Sequence, residues 1–147
     1  MKAIFLLIAA AAGIGSALQS GSNASLQKSL TTPLWTVVFV CLTTTTAAII
    51  VTLVSGAPFP TRVQLGSAPW WAWLGGLFGL CFVLATVFAS PKLGAGLFVA
   101  LIVTFSAVTS LILDNYGLMS FDVHHAGIGR IAGGLLMIAG VALIATF

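Results

Sequence analysis

Residues 33–54 read Pro33-Leu34-Trp35-Thr36-Val37-Val38-Phe39-Val40-Cys41-Leu42-Thr43-Thr44-Thr45-Thr46-Ala47-Ala48-Ile49-Ile50-Val51-Thr52-Leu53-Val54, and no Asp, Glu, Lys or Arg interrupts them. About 20 consecutive apolar residues suffice for an α-helix to cross the hydrocarbon core of a bilayer. Pro33 stands at the first turn, where its missing N–H costs nothing. The four threonines Thr43–Thr46 do not spoil the segment, because a Thr hydroxyl can bond to its own helix backbone. This stretch reads as a transmembrane helix.

Four similar stretches surround it. The apolar segments cover about residues 3–22, 33–54, 69–89, 92–113 and 125–147, separated by polar or Gly/Pro breaks. The longest connection, Ser55 to Ala68, contains Pro58, Pro60 and Arg62 and reads as loop. A β-barrel is the other architecture that satisfies backbone polar groups in lipid. It would show alternating segments of about ten residues with aromatic girdles. Continuous runs, sixteen Gly and one Tyr argue for packed helices instead. The expected fold is all-α, a single five-span helical membrane domain.

Composition agrees. The chain has 147 residues, 60% hydrophobic and 5% charged, with a mean hydropathy of +1.21. A soluble domain is roughly 25% charged. Five Lys/Arg and two Asp/Glu cannot build a water-facing surface, which excludes a soluble enzyme and a nucleic-acid binder. Cys41 and Cys81 lie in apolar runs without metal-ligand spacing and read as small buried hydrophobes. No nucleotide-binding loop, HExxH or nucleophile elbow is present, so no enzymatic activity and no cofactor is expected.

The first segment has a second reading. Lys2, a short apolar stretch and Gly15-Ser16-Ala17 resemble a signal peptide with its cleavage site. Gln19 and Asn23 continue at a spacing of four, which favours a retained span.

The few polar residues carry the functional argument. Ser16, Gln19 and Asn23 form one stripe on the first helix. Such uncharged groups glue helices together or line a pathway. Arg130, counted from His125, sits less than two turns inside the fifth span. It should find a partner or a wet cavity, unless it snorkels to the headgroups. Asp114, at the end of the fourth span, is the expected partner. Asp122 reads as the N-cap of the fifth helix. His124 and His125 are adjacent, point to different helix faces, and make no metal site. Trp70, Trp71 and Trp73 read as an interfacial belt.

Loop charge hardly fixes orientation. With a cytoplasmic N-terminus, Lys2, Arg62 and Arg130 fall to one side and Lys28 and Lys92 to the other. The positive-inside rule needs a larger bias, so chains inserted both ways are physically open to this sequence. Ala9-Gly13-Ala17, Gly75/Gly79 and Gly129/Gly133 form rows of small residues that let helix backbones approach closely.

The order of several blocks resembles a known family. These are Pro69-Trp70-Trp71-Ala72-Trp73-Leu74-Gly75-Gly76-Leu77-Phe78-Gly79, Ser90-Pro91-Lys92-Leu93-Gly94, Ser110-Leu111-Ile112-Leu113-Asp114-Asn115-Tyr116-Gly117, and Arg130 with its Gly-rich run to Val141. Together with Gln19 and Asn23 they are similar to the YdcZ-type inner membrane exporters of the drug/metabolite transporter superfamily. The resemblance covers nearly the whole chain. It implies five spans as half a transporter, completed by a second copy or a paralogue with inverted halves. The family's Gly-Gln pair late in the fourth span has no counterpart here, where Phe105-Ser106-Ala107 stands.

The resulting expectation is a bacterial inner-membrane secondary transporter of a small organic solute. It works by alternating access as an antiparallel homodimer or paralogue heterodimer, with Gln19, Asn23, Arg130 and Asp114 at the substrate site. A neutral or anionic solute is favoured, because the first three spans carry no carboxylate for a cation. The rival is a non-transporting accessory subunit that packs against a partner.

Overall fold

The computed structural model describes residues 2–147 and contains no strand among them. Seven α-helices follow in order: α1 (Lys2–Leu30), α2 (Pro33–Val54), α3 (Arg62–Ser67), α4 (Gly75–Phe88), α5 (Ser90–Leu93), α6 (Ala95–Tyr116) and α7 (Ile128–Thr146). Two 3₁₀ turns, Trp70–Leu74 and Leu118–Ser120, precede α4 and follow α6. Five helical stretches are long and apolar enough to cross a membrane: Lys2–Leu30, Pro33–Val54, Trp70–Leu93, Ala95–Tyr116 and Ile128–Thr146. The all-α membrane fold expected from the sequence is the fold observed.

The chain divides into two compact units, one ending at Lys92 and the other running from Leu93 to Phe147. In the first, α1, α2 and α4 pack on one another. Its apolar centre is Val37 and Val40 of α2 against Val83 and Val87 of α4, with Leu26, Cys41 and Leu84 around them. Spacings of three and four place each pair on one helix face. Lipid is as apolar as these side chains, so burial drives association weakly. Close packing and interhelical hydrogen bonds hold the helices instead.

In the second unit α6 and α7 form an antiparallel hairpin. A Cβ built at Gly134 of α7 would stand 3.4 Å from Leu111 and 3.9 Å from Val108 of α6. The Leu111 and Val108 side chains therefore pack onto the bare backbone of α7 at Gly134.

Helix limits differ from the apolar stretches in several places, and α6 runs on to Tyr116. α1 continues to Leu30, and its 29 residues span roughly 44 Å at 1.5 Å per residue, well beyond the hydrocarbon thickness. The fourth long helix starts at Ala95 rather than residue 92. Gly94, at φ +82°, breaks the backbone there, and Ser90–Leu93 stays with the third stretch. The last helix starts at Ile128 rather than residue 125, because His124 and Ala126 before it are hydrogen-bonded to the end of α6.

The connection at 55–68 is not all loop. Thr61 and Gln64 form a reciprocal capping box that starts α3. Thr61 Oγ1 accepts from the Gln64 N–H at 3.3 Å, and Gln64 Oε1 accepts from the Thr61 N–H at 2.8 Å. That satisfies two orphan groups of the short helix.

Candidate functional site: an inward polar stripe and a crossed ion pair

The polar stripe of α1 is turned into the first unit. Ser16 and Gln19 are half-buried, while Ser20 and Asn23 are buried. Asn23 Nδ2 donates to Thr86 Oγ1 of α4 at 2.8 Å, and the Thr86 hydroxyl donates to the Val83 carbonyl at 2.7 Å. The Ser20 and Ser90 hydroxyls lie 2.7 Å apart and share a hydrogen bond. These contacts join α1 to the third helical stretch. They also explain the inverted pattern of the helix. Ile4 to Leu18 present apolar side chains outward, and the polar face finds its partners inside.

The sequence reading placed Gln19 and Asn23 on this face. It missed Ser20, which lies on the same face three residues before Asn23. Thr86 and Ser90, the partners on the third stretch, carry no signal in the sequence that marks them. On α2, Thr43 donates to the Val40 carbonyl at 2.9 Å and Thr44 to the same carbonyl at 2.9 Å. This is the backbone bonding expected of a Thr run within a helix.

Next to Gln19 a crevice opens between α1, α2 and α4, with a volume of about 450 Å³. Cys41, Thr44, Thr45, Gly76 and Gly79 line it together with Gln19 and apolar side chains of α4. Asn23 is not on its wall. Its amide is spent on Thr86.

Asp114 and Arg130 belong to the second unit, and the structure brings them together. Arg130 Nη1 lies 3.7 Å from Asp114 Oδ2, with both side chains partly exposed. The same nitrogen donates to the His124 carbonyl at 3.2 Å. Arg130 therefore has polar neighbours and is not a lone snorkelling charge. It is shallower than expected, because α7 begins at Ile128 and Arg130 stands in its first turn.

Each of these two charges stands at the wrong end of its own helix. A cation is disfavoured at a helix N-terminus and an anion at a C-terminus. Arg130 is in the first turn of α7, which carries no acid, and Asp114 is in the last turn of α6, which carries no base. Because the hairpin sets one terminus beside the other, each charge offsets the other's penalty.

The segment between the helices is stitched to α6. The His124 N–H donates to the Asp114 carbonyl at 2.9 Å, and the Ala126 N–H donates to Asn115 Oδ1 at 3.0 Å. One ring nitrogen of His124 is 3.0 Å from the Asp122 carbonyl. Asp122 is not the N-cap of α7, contrary to the sequence expectation. Gly127 holds that position, in extended conformation and without a side-chain cap. Asp122 sits too far upstream once residues 124–126 are tied to α6. No group of three metal-ligating side chains occurs among the described residues.

A second cleft, about 370 Å³, lies between α6 and α7. Its walls are largely apolar, with Asn115 and Tyr116 at the end nearest the connecting segment.

Gln19 with Asn23, and Asp114 with Arg130, are thus two local arrangements, one in each unit. No curated protein and no solved structure matches the chain. A family model described as "Putative inner membrane exporter, YdcZ" matches residues 4–143. That match takes in the amide stripe of α1, the tryptophan turn before α4 and the Asp114–Arg130 pair: the chain belongs to this inner membrane exporter family and is a multi-pass inner membrane protein.

Proposed function

We propose that the chain is a secondary transporter that exports a small organic solute by alternating access and works as a dimer with inverted chains. The observation that carries this reading is the direction of the α1 stripe. A span whose amides face inward, with Gln19 on the wall of a crevice between three helices, has the form of a pathway lining. A helix serving only to pack needs the Asn23–Thr86 and Ser20–Ser90 contacts but has no use for an amide at an open crevice.

In this reading Gln19 meets the solute. Asn23, through Thr86, holds α1 where Gln19 can do so. Arg130 and Asp114 act as a neutralised pair that closes one end of the path. A second, inverted copy supplies its own Asp114–Arg130 pair to the path beside Gln19 of the first, and the site forms between chains.

Solute charge follows from the same inventory. A cation exporter needs a carboxylate to balance its cargo in the membrane. The first three spans contain none, and Asp114 is engaged by Arg130. A neutral or anionic solute fits better than a cationic one.

A solute-uptake screen in vesicles holding the purified protein tests the function. Uptake of at least one small organic solute above protein-free vesicles is expected. If no solute moves while the protein associates with and stabilises another membrane protein, the accessory-subunit reading replaces this one.

A further inference from the structure

The crevice beside Gln19 has a specific chemistry. The lining offers hydrogen bonds but no charge. Gln19 supplies an amide with both donors and acceptor, and Thr45 supplies a hydroxyl with one donor and two lone pairs. Thr44 spends its proton on the Val40 carbonyl, which leaves its oxygen as an acceptor. No Asp, Glu, Lys, Arg or His lines the space. The remaining walls are Cys41, apolar side chains of α4 and two glycines. A Cβ placed at Gly76 or Gly79 would meet nothing within 4 Å, so the missing side chains leave open space rather than close backbone contact. The volume, about 450 Å³, falls in the range of small-molecule sites, about 300–1,000 Å³.

An ion entering such a place would lose its hydration and find no counter-charge on the walls, and the Arg130 charge at the end of the path is already neutralised by Asp114, so entry is costly in a low-dielectric environment. An uncharged molecule with a hydrogen-bonding head would exchange water for Gln19 and Thr45, and its apolar body would lie on α4.

We propose that this crevice is the seat of an uncharged small organic solute of the amide or alcohol class, bound at its polar head by Gln19 and Thr45. The inference rests on the transporter reading and narrows its substrate from neutral-or-anionic to neutral. Cys41, half-buried on the crevice wall, reports occupancy directly.

The experiment uses the full chain with Cys81→Ser, purified in detergent. Alkylation of Cys41 by N-ethylmaleimide is followed by mass spectrometry. The probes are benzamide, nicotinamide and valeramide, set against benzoate and benzyltrimethylammonium at matched concentrations. At about ten times its dissociation constant an uncharged probe should slow alkylation about tenfold, by mass action alone. The charged probes should not slow it. Two variants sharpen the test. Gly79→Leu should remove protection by filling the crevice, and because its side chain enters open space the variant should elute as a folded protein. Gln19→Glu should lose protection by the amides and gain it from benzyltrimethylammonium. The proposal is overturned if no uncharged probe protects, if the charged probes protect equally, or if Gly79→Leu is still protected. Protection without any vesicle uptake would leave this seat standing and remove the transport reading. Uptake without protection would do the reverse.

Discussion

Arg130 shows how a single side chain can be costly alone and inexpensive in company. Its charge opposes the dipole of α7, Asp114 opposes that of α6, and the two lie 3.7 Å apart. Both are partly exposed, so the pair itself should contribute no more than about 1 kcal/mol to stability. Arg130→Ala is therefore expected to insert and dimerise normally but to abolish transport, as measured by vesicle uptake beside a cross-linking assay. Normal uptake by Arg130→Ala would show that the pair is only structural. These two residues were legible in the sequence because charges are scarce there. With two acids in the chain, few partners for Arg130 could be imagined. Gln19 was legible because an amide in a span is unusual. Ser20, Thr86 and Ser90 were not. A hydroxyl can satisfy itself on any helix backbone, so its presence says little. Their partners lie 63 and 70 positions away along the chain, beyond the reach of local spacing.

At the scale of elements, the bond between Asn23 and Thr86 should hold α1 to α4 with a measurable coupling. Interhelical hydrogen bonds of this kind average about 0.6 kcal/mol and reach about 1.7. A double-mutant cycle with Asn23→Ala and Thr86→Val, read by unfolding in detergent, should return a coupling in that range. A value indistinguishable from zero would mean that close packing alone joins these helices. The hairpin of the second unit depends on Gly117, which ends α6 in the left-handed conformation at φ +60°. A Cβ there would lie 2.7 Å from Val123 Cγ2. Gly117→Ala thus combines a strained backbone, about 1–2 kcal/mol, with a steric clash. It should lower the melting temperature, and adding Val123→Ala should recover part of the loss; no recovery would mean that backbone strain accounts for all of it. Element types could be read from continuous apolar runs, whereas element ends could not. The start of α7 is set by bonds from residues 124 and 126 to the end of α6, a tertiary effect. The capping box of α3 did stand in the sequence as Thr61-Arg62-Val63-Gln64, but Pro58 and Pro60 made the whole connection read as loop.

For the whole molecule, the weak charge bias gives a way to control assembly. With a cytoplasmic N-terminus and five crossings, three basic residues would fall on one side and two on the other, a difference of one. If the working unit contains chains inserted both ways, topology should respond to a single added lysine. Gly66 lies in the connection that carries Arg62, is exposed, and has open space at its Cβ position. Gly66→Lys raises the excess on that side to two, four against two, and should commit the chain to one orientation. Ser29 is exposed beside Lys28. Ser29→Lys balances the sides at three each and moves the population the other way. Cysteine tags at both termini, labelled from either face of the membrane, should show mixed orientation for the unaltered chain and a single one for Gly66→Lys. The functional consequence is more demanding. Gly66→Lys alone should transport poorly because inverted partners are absent. Co-expression with Ser29→Lys should restore transport, since the second variant supplies the missing orientation. A merely damaged Gly66→Lys would not raise transport above that of Ser29→Lys expressed alone at the same level. If Gly66→Lys, inserted in one orientation only, transports as well as the unaltered chain, the inverted dimer is wrong. The site would then have to be completed by copies arranged in parallel or by one chain alone.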